Sequence, residues 1–139
     1  MFDALDLAKY IVTKCINDGH PISNLQLQKI LFYIQKDYLQ QGGPAFGERI
    51  EAWPYGPVVP RVYNKFCGSG AMPIRMKYPE VKFGQAMEKV DAIVVEKRSM
   101  NPWKLVEETH RPGGAWYRTY NNGAGRGHEI LRDLIKECG

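Results

Sequence analysis

The chain has 139 residues, of which 44% are hydrophobic and 24% charged, and its net charge is +4. This length and composition predict one globular domain over residues 1–139, with a core that needs no disulfides. No apolar run reaches about 18 residues, and MFDALDLAKY has acids where a signal peptide needs bases, so we predict a cytoplasmic protein without a membrane span. Three scattered cysteines without a CxxC pair predict neither a disulfide framework nor a zinc site.

The N-terminal part of the chain carries two helix patterns. Apolar residues at helical spacing predict a first helix over residues 3–18, with Asp3 as its N-cap. Ser23 and Gln26 form the sequence signature of a capping box, which starts a second helix that runs to about residue 41. The second helix is rich in glutamine, which favours an uncharged interaction face, and the residues concerned are Gln26, Gln28, Gln35, Gln40 and Gln41.

The stretch IEAWPYGPVVPRVY carries three prolines and a glycine between helical patterns. RIEAW, residues 49–53, is typical of a short extended segment, and Tyr55-Gly56-Pro57 is typical of a turn. Pro60 suits the first turn of a third helix. We therefore predict a rigid corner, which is either structural or displayed to a partner.

The second half is less regular. Residues 71–83 are poorly defined: they alternate in part, so a loose strand or hairpin arm is one interpretation, and such a strand is a candidate partner for RIEAW. Helices are expected over about 85–98 and, capped by Asn101 and Pro102, over WKLVEETH. We predict an irregular segment over 111–127 and a last helix over about 127–138. The fold class is therefore mainly α: a compact domain of five to seven helices with a short β element or hairpin.

The residues do not predict an enzyme. No HExxH, GxSxG or P-loop pattern occurs, and no acid and base can be paired. Thr109 and His110 end a helix, where both side chains are suited to capping. We expect no cofactor and no metal.

Aromatic and basic residues supply the candidate binding surfaces. In 111–127, three arginines alternate with three aromatics and no acid occurs, which suits either phosphate and base contacts or protein hot spots. Trp53, Tyr55 and Trp103 are interpreted first as packing the corner against the helices. The alternative is that a stiff loop displays Tyr55 to a partner.

Three segments together resemble the Panacea domain, the family of SocA-like antitoxins and phage-associated GepA-like proteins. They are LQLQKILFYIQKDYL, EAWPYGPVVPRVY, and NPWKLVEETH followed by Trp116. The resemblance covers about residues 5–137, and the order of prolines and aromatics in the second segment is its most specific part. Residues 71–84 match little, and the glycine-rich run 111–127 departs from the family pattern.

The resemblance implies an antitoxin-like interaction domain, often encoded beside a toxin gene and frequent in prophages. It implies a cognate toxin as partner, neutralised by direct binding or, as in the SocA branch, by adaptor-type delivery to a protease. It supplies no catalytic residues, and the Thr109-His110 pair recurs in its pattern. We predict that the partner-binding residues are Tyr55, Gly56, Arg61, His110, Arg111, Trp116 and Arg118.

Two other functions stay open at this point. A phage counter-defence protein would bind a host immune factor and need no neighbouring toxin gene. A nucleic-acid-binding protein is the less favoured alternative, because no helix-turn-helix or other known reader is evident. The sequence does not indicate an oligomeric state.

Overall fold

The computed structural model describes all 139 residues and contains seven α-helices and one β-hairpin. The helices are α1 (Ala4–Asn17), α2 (Asn24–Gln40), α3 (Pro60–Phe66), α4 (Glu88–Arg98), α5 (Pro102–Thr109), α6 (Ala115–Tyr120) and α7 (Arg132–Cys138). Strands β1 (Glu51–Trp53) and β2 (Gly56–Val58) are antiparallel, and two 3-10 turns cover Cys67–Ser69 and Asn121–Gly123. The prediction of a mainly helical fold with a short β-hairpin is confirmed.

Local capping explains where the first helices begin. The Asp3 side chain accepts a hydrogen bond from the backbone N–H of Asp6 at the start of α1. At the start of α2, the Ser23 and Gln26 side chains each bind the other residue's backbone N–H, which is the predicted capping box. These caps satisfy donors that would otherwise lack partners at a helix start.

Helix α2 forms the centre of the domain. It packs against α1, α3, α4, α5, α7 and β2, and eleven of its seventeen residues are buried. A continuous core of 31 buried hydrophobic residues surrounds it. Most of the remaining elements are therefore positioned against this one helix, and β1 and α6 are held through β2, α5 and α7.

The prediction of a glutamine interaction face on α2 is wrong for Gln28 and Gln35, because both side chains are buried. The Gln35 amide accepts from the backbone N–H of Ala45 at 2.8 Å and donates to the Phe46 carbonyl at 3.0 Å. The Gln28 amide oxygen accepts from the N–H of Val59 at 2.9 Å. These amides satisfy backbone groups of the irregular chain on either side of the hairpin.

Gln35→Leu is expected to lower the free energy of unfolding by about 2–4 kcal/mol, because it leaves buried backbone groups of Ala45 and Phe46 without partners. Urea denaturation at pH 7 measures the change. Gln40→Leu is the matched control on the same helix: its exposed amide makes one bond, to the Lys136 carbonyl. We expect the control to change stability by less than about 1 kcal/mol. Equal losses in the two variants would contradict this role for Gln35.

The predicted pairing of residues 71–83 with RIEAW is wrong. The outer edge of β1 pairs instead with residues 127–130: Ala52 donates to the His128 carbonyl at 2.9 Å, and Ile130 donates to the Ile50 carbonyl at 2.7 Å. Residues 71–83 contain no strand and join the fold through bonds such as Ile74 N–H to the Ile22 carbonyl. Because residues 128–130 run beside β1, the last helix begins at Arg132 and not near 127.

Part of the segment predicted to be irregular is a helix. Helix α6 occupies Ala115–Tyr120 within residues 111–127, and the chain leaves it through Asn121 and Asn122, both at positive φ. None of the seven helices has the length and apolarity that crossing a lipid bilayer requires.

Candidate functional site

Tyr55, at the tip of the hairpin, is the most exposed aromatic residue of the IEAWPYGPVVPRVY stretch. Trp53 pairs with Gly56, so Pro54 and Tyr55 form a two-residue turn between the strands. Gly56 has a φ of +124°, a conformation that favours glycine. The Tyr55 side chain is 66% exposed. The turn therefore presents Tyr55 outward on a short and restricted piece of backbone.

A buried lysine supports this turn from below. Lys29, on α2, is fully buried, and its ammonium group donates to the carbonyl of Tyr55. No carboxylate pairs with it, and burial lowers the pKa of Lys29 to about 7. A Cβ atom on Gly56 would lie 2.8 Å from Lys29 Cε and 3.3 Å from Thr109 Oγ1. Lys29 and the end of α5 therefore fill the space next to Gly56, and no side chain would fit at this position.

A stack of three rings borders the turn. His110, at the end of α5, lies parallel to Trp116 of α6 with ring centroids 3.7 Å apart, and Tyr120 stacks on the other side at 4.6 Å. The Trp116 indole N–H donates to the Trp53 carbonyl at 2.8 Å. Burial lowers the pKa of His110, and its Nε2 atom is buried without a hydrogen-bond partner. Both observations favour the neutral imidazole, which packs as one ring of the stack.

The loop after α6 closes onto the hairpin. Gly125 passes so close to the end of α6 that a Cβ atom there would lie 1.8 Å from the Thr119 carbonyl oxygen. Two residues on, Gly127 donates to the Ala52 carbonyl at 2.7 Å. This close approach places Arg126, an exposed residue, beside the hairpin.

The structure brings together four of the seven predicted binding residues. Tyr55 and Gly56 form the turn, and His110 and Trp116 belong to the adjoining stack. Trp116 is only 7% exposed, so its indole supports the turn from inside.

The three predicted arginines lie apart from this group. Arg61 pairs with Asp3 at 2.8 Å and with Glu48 at 3.0 Å, which ties the start of α3 to that of α1. Arg111 donates to the carbonyls of the last two residues, Cys138 and Gly139. Arg118 is exposed on α6, and its guanidinium pairs with no group of the chain.

The interpretation that the corner aromatics are packing residues is wrong for two of the three. Tyr55 is 66% and Trp103 is 70% exposed. Trp53 is half-buried, and its ring packs edge-on against Tyr63 with centroids 4.9 Å apart. Only Trp53 therefore has the packing role, and Tyr55 is displayed.

Sequence reasoning missed Lys29, which is central to the site. Its signal was present in LQLQKILFYIQKDYL, since Leu25, Phe32 and Tyr33 stand four residues before and three and four residues after it. These positions share its helix face. A lysine on an apolar face marks either a buried base or a residue whose stem alone is covered.

No group of three or more His, Cys, Asp or Glu side chains is placed to hold a metal ion. The site consists of a displayed ring, a buried base and stacked aromatics, which is an arrangement suited to recognition.

Comparison with known proteins gives two matches. The family model "Antitoxin SocA-like, Panacea domain" matches residues 27–117, a range that contains Lys29, the hairpin, His110 and Trp116. Antitoxin SocA of Caulobacter vibrioides (strain NA1000 / CB15N) is 29% identical over an alignment of 152 residues, which covers 97% of this chain and 81% of that protein. No solved structure matches the chain significantly. The matched range holds most of the chain, and the protein therefore belongs to the SocA-like antitoxin family with a Panacea domain.

Proposed function

We propose that the protein is an antitoxin that binds a cognate toxin protein in the cytoplasm and silences it without catalysis. The family supports an antitoxin role. The observation that carries direct binding is the displayed Tyr55, whose backbone carbonyl is held by the buried Lys29. A turn held in this way loses little conformational entropy when a partner binds.

The proposed contact surface contains Tyr55, Gly56, Arg61, His110, Arg111, Trp116 and Arg118. Tyr55 and Arg118 are exposed and would touch the toxin directly. Gly56, His110 and Trp116 would act by shaping the turn. Arg61 and Arg111 are exposed but engaged within the chain, so they would be secondary contacts away from the turn.

Tyr55→Ala combined with Arg118→Ala is expected to weaken toxin binding by about tenfold or more, because exposed Tyr and Arg side chains carry much of the energy of protein interfaces. The melting temperature should stay nearly unchanged, since neither side chain is buried. Binding to the co-expressed product of the adjacent gene, measured by calorimetry, and growth rescue in cells give the readouts.

The matched control is Trp103→Ala combined with Lys104→Ala, which removes an exposed aromatic and an exposed base from α5. The control should bind the toxin like the wild type. A large fall in melting temperature of the Tyr55 and Arg118 variant would show that these residues are structural, and equal binding by both variants would place the contact elsewhere.

The same co-expression separates neutralisation by binding from delivery to a protease. In direct binding, the toxin persists in cells in a stable complex and is inactive. In adaptor-type delivery, the toxin disappears in the presence of the protein and accumulates when the protease is absent. We propose direct binding as the primary mode, because the displayed turn supplies one contact surface and no second one is needed.

A further inference from the structure

The charges of this chain are segregated along the sequence. Residues 52–79 and 109–128 together hold seven of the nineteen basic residues and none of the fifteen acidic ones. The rest of the chain therefore has twelve bases against fifteen acids. The two acid-free stretches meet at the hairpin, where Trp116 binds the Trp53 carbonyl and Gly127 binds the Ala52 carbonyl.

An apolar groove opens at this junction. Its volume is about 390 Å³, and seven of its eleven lining residues are hydrophobic. Trp53, Pro54 and Tyr55 form one wall, and Tyr63 and Ala71 contribute to the rest. The one charged side chain in the lining is Arg126, which pairs with no carboxylate of the chain. A groove of this kind accepts an apolar side chain and leaves one positive charge unneutralised.

Further unpaired bases lie beyond the groove. On the other side of the 3-10 turn Cys67–Ser69, Lys65 and Arg75 line a second depression, and neither forms an ion pair. Met76 lines the same depression and is 67% exposed, and Met72, next to Ala71 in the chain, is 68% exposed. The exposed surface around the turn is thus apolar in its middle and basic at its edges, a pattern typical of recognition of acidic protein segments.

The groove is less suited to nucleic acid than to a peptide. The Trp53 ring of the wall is not free for a base to stack on, because it packs against Tyr63 and its N–H donates to Glu51 at 3.0 Å. The Glu51 carboxylate also borders the neighbouring depression that Arg126 lines. Glu51 is itself paired with Arg49 at 3.0 Å, so it does not neutralise Arg126.

We propose that this groove binds an extended segment of the partner protein, in which an apolar side chain is followed by carboxylates. The apolar side chain enters between the hairpin turn and Tyr63, and the carboxylates contact Arg126 and the bases beyond the 3-10 turn. The proposal rests on the proposed function in taking a protein as the partner, and it adds the chemistry of the segment that is recognised.

Selection from a display library of random 12-residue peptides on the immobilised protein tests this proposal. The enriched peptides are expected to combine an aromatic or large aliphatic residue with two or more acids. Binding of a synthetic selected peptide should fall about tenfold or more with Arg126→Glu, which reverses the charge, and with Ala71→Trp, which fills the groove. Lys104→Glu makes the same change of charge at an exposed position of α5, and this variant should bind the peptide like the wild type.

A second readout uses the exposed thiol of Cys67, which lines the groove. Bound peptide should slow alkylation of Cys67 by iodoacetamide, while alkylation of the partly buried Cys138 stays unchanged, with both followed by mass spectrometry. Unchanged alkylation of Cys67 with saturating peptide would overturn the assignment to this groove. Circular dichroism and melting temperature establish that each variant is folded.

The proposal would be overturned if the selection enriched basic peptides or no peptides. It would also be overturned if Arg126→Glu weakened binding of a dT12 oligonucleotide but not binding of the selected peptides. A wrong antitoxin assignment would give a different result from a wrong groove. In that case the selected acidic peptides would still bind, but the product of the adjacent gene would not. A toxin complex that forms normally with both Arg126→Glu and Ala71→Trp would leave the antitoxin function standing and exclude this groove.

Discussion

Gly56→Ala is expected to lower the free energy of unfolding by about 2–5 kcal/mol and to abolish most toxin neutralisation. The φ of +124° at this position is unfavourable for any residue with a Cβ atom. The added methyl group would also lie 2.8 Å from Lys29 Cε, in a place that is already filled. The turn has to shift, and the Tyr55 side chain then moves away from its displayed position.

Urea denaturation and growth rescue measure the two effects of Gly56→Ala. Gly84→Ala is the control, because that glycine has no positive φ and a Cβ atom there meets nothing within 4 Å. We expect the control to change stability by less than about 0.5 kcal/mol. If Gly56→Ala is equally mild, then the turn is not packed against Lys29 as described.

The second large effect concerns the pH dependence of stability. The unfolded chain keeps a proton on Lys29 up to about its ordinary pKa of 10.5, whereas the folded chain releases it near pH 7. Between these values the unfolded state binds more protons, so the stability should rise with pH, by up to about 1.4 kcal/mol per pH unit. Below pH 7 both states are protonated and this rise disappears.

Lys29→Met is expected to remove this rise. The free energy of unfolding is measured between about pH 7 and 8.5, above the range in which His110 titrates and below the raised pKa of Cys15. Lys104→Met, which removes an exposed lysine, should keep the slope of the wild type. Met cannot donate to the Tyr55 carbonyl, so neutralisation should also fall. A slope that survives in Lys29→Met would mean that other groups produce it.

The features predicted correctly are those encoded within a few residues. Ser23 and Gln26 are three positions apart, and the capping box they form needs no distant partner. Pro60 likewise starts α3 and Pro102 starts α5, because a fixed φ and a missing N–H act locally. Boundaries of this kind are therefore readable from the sequence.

The errors concern pairings between distant parts of the chain. Residues 71–83 and 127–130 are both short segments without a strong strand pattern, and nothing local shows which one reaches β1. Gln28 and Gln35 look like surface residues until the irregular backbone that they bind is placed against α2. Polar residues that satisfy distant backbone groups have the same local pattern as exposed ones.

The local features of the candidate site were predictable from the sequence, and those that depend on distant packing were not. Tyr55 and Gly56 were identified because a turn is a local feature. The buried position of Lys29 and the stack of His110 with Trp116 depend on the packing of α2, α5 and α6. The chemistry of arginine suits an interface, but the ion pairs of Arg61 with Asp3 and Glu48 and the bonds of Arg111 to the last carbonyls depend on the fold.

The bridge between Glu51 and Glu129 has a consequence for protein synthesis. The ribosome makes β1 and β2 long before residues 127–130, so a nascent chain carries the Tyr55 turn with one edge of β1 bare. Contacts between residues so far apart in sequence form late in folding. A chain still under translation therefore presents the Tyr55 turn without the support that residues 127–130 give to β1 in the finished protein.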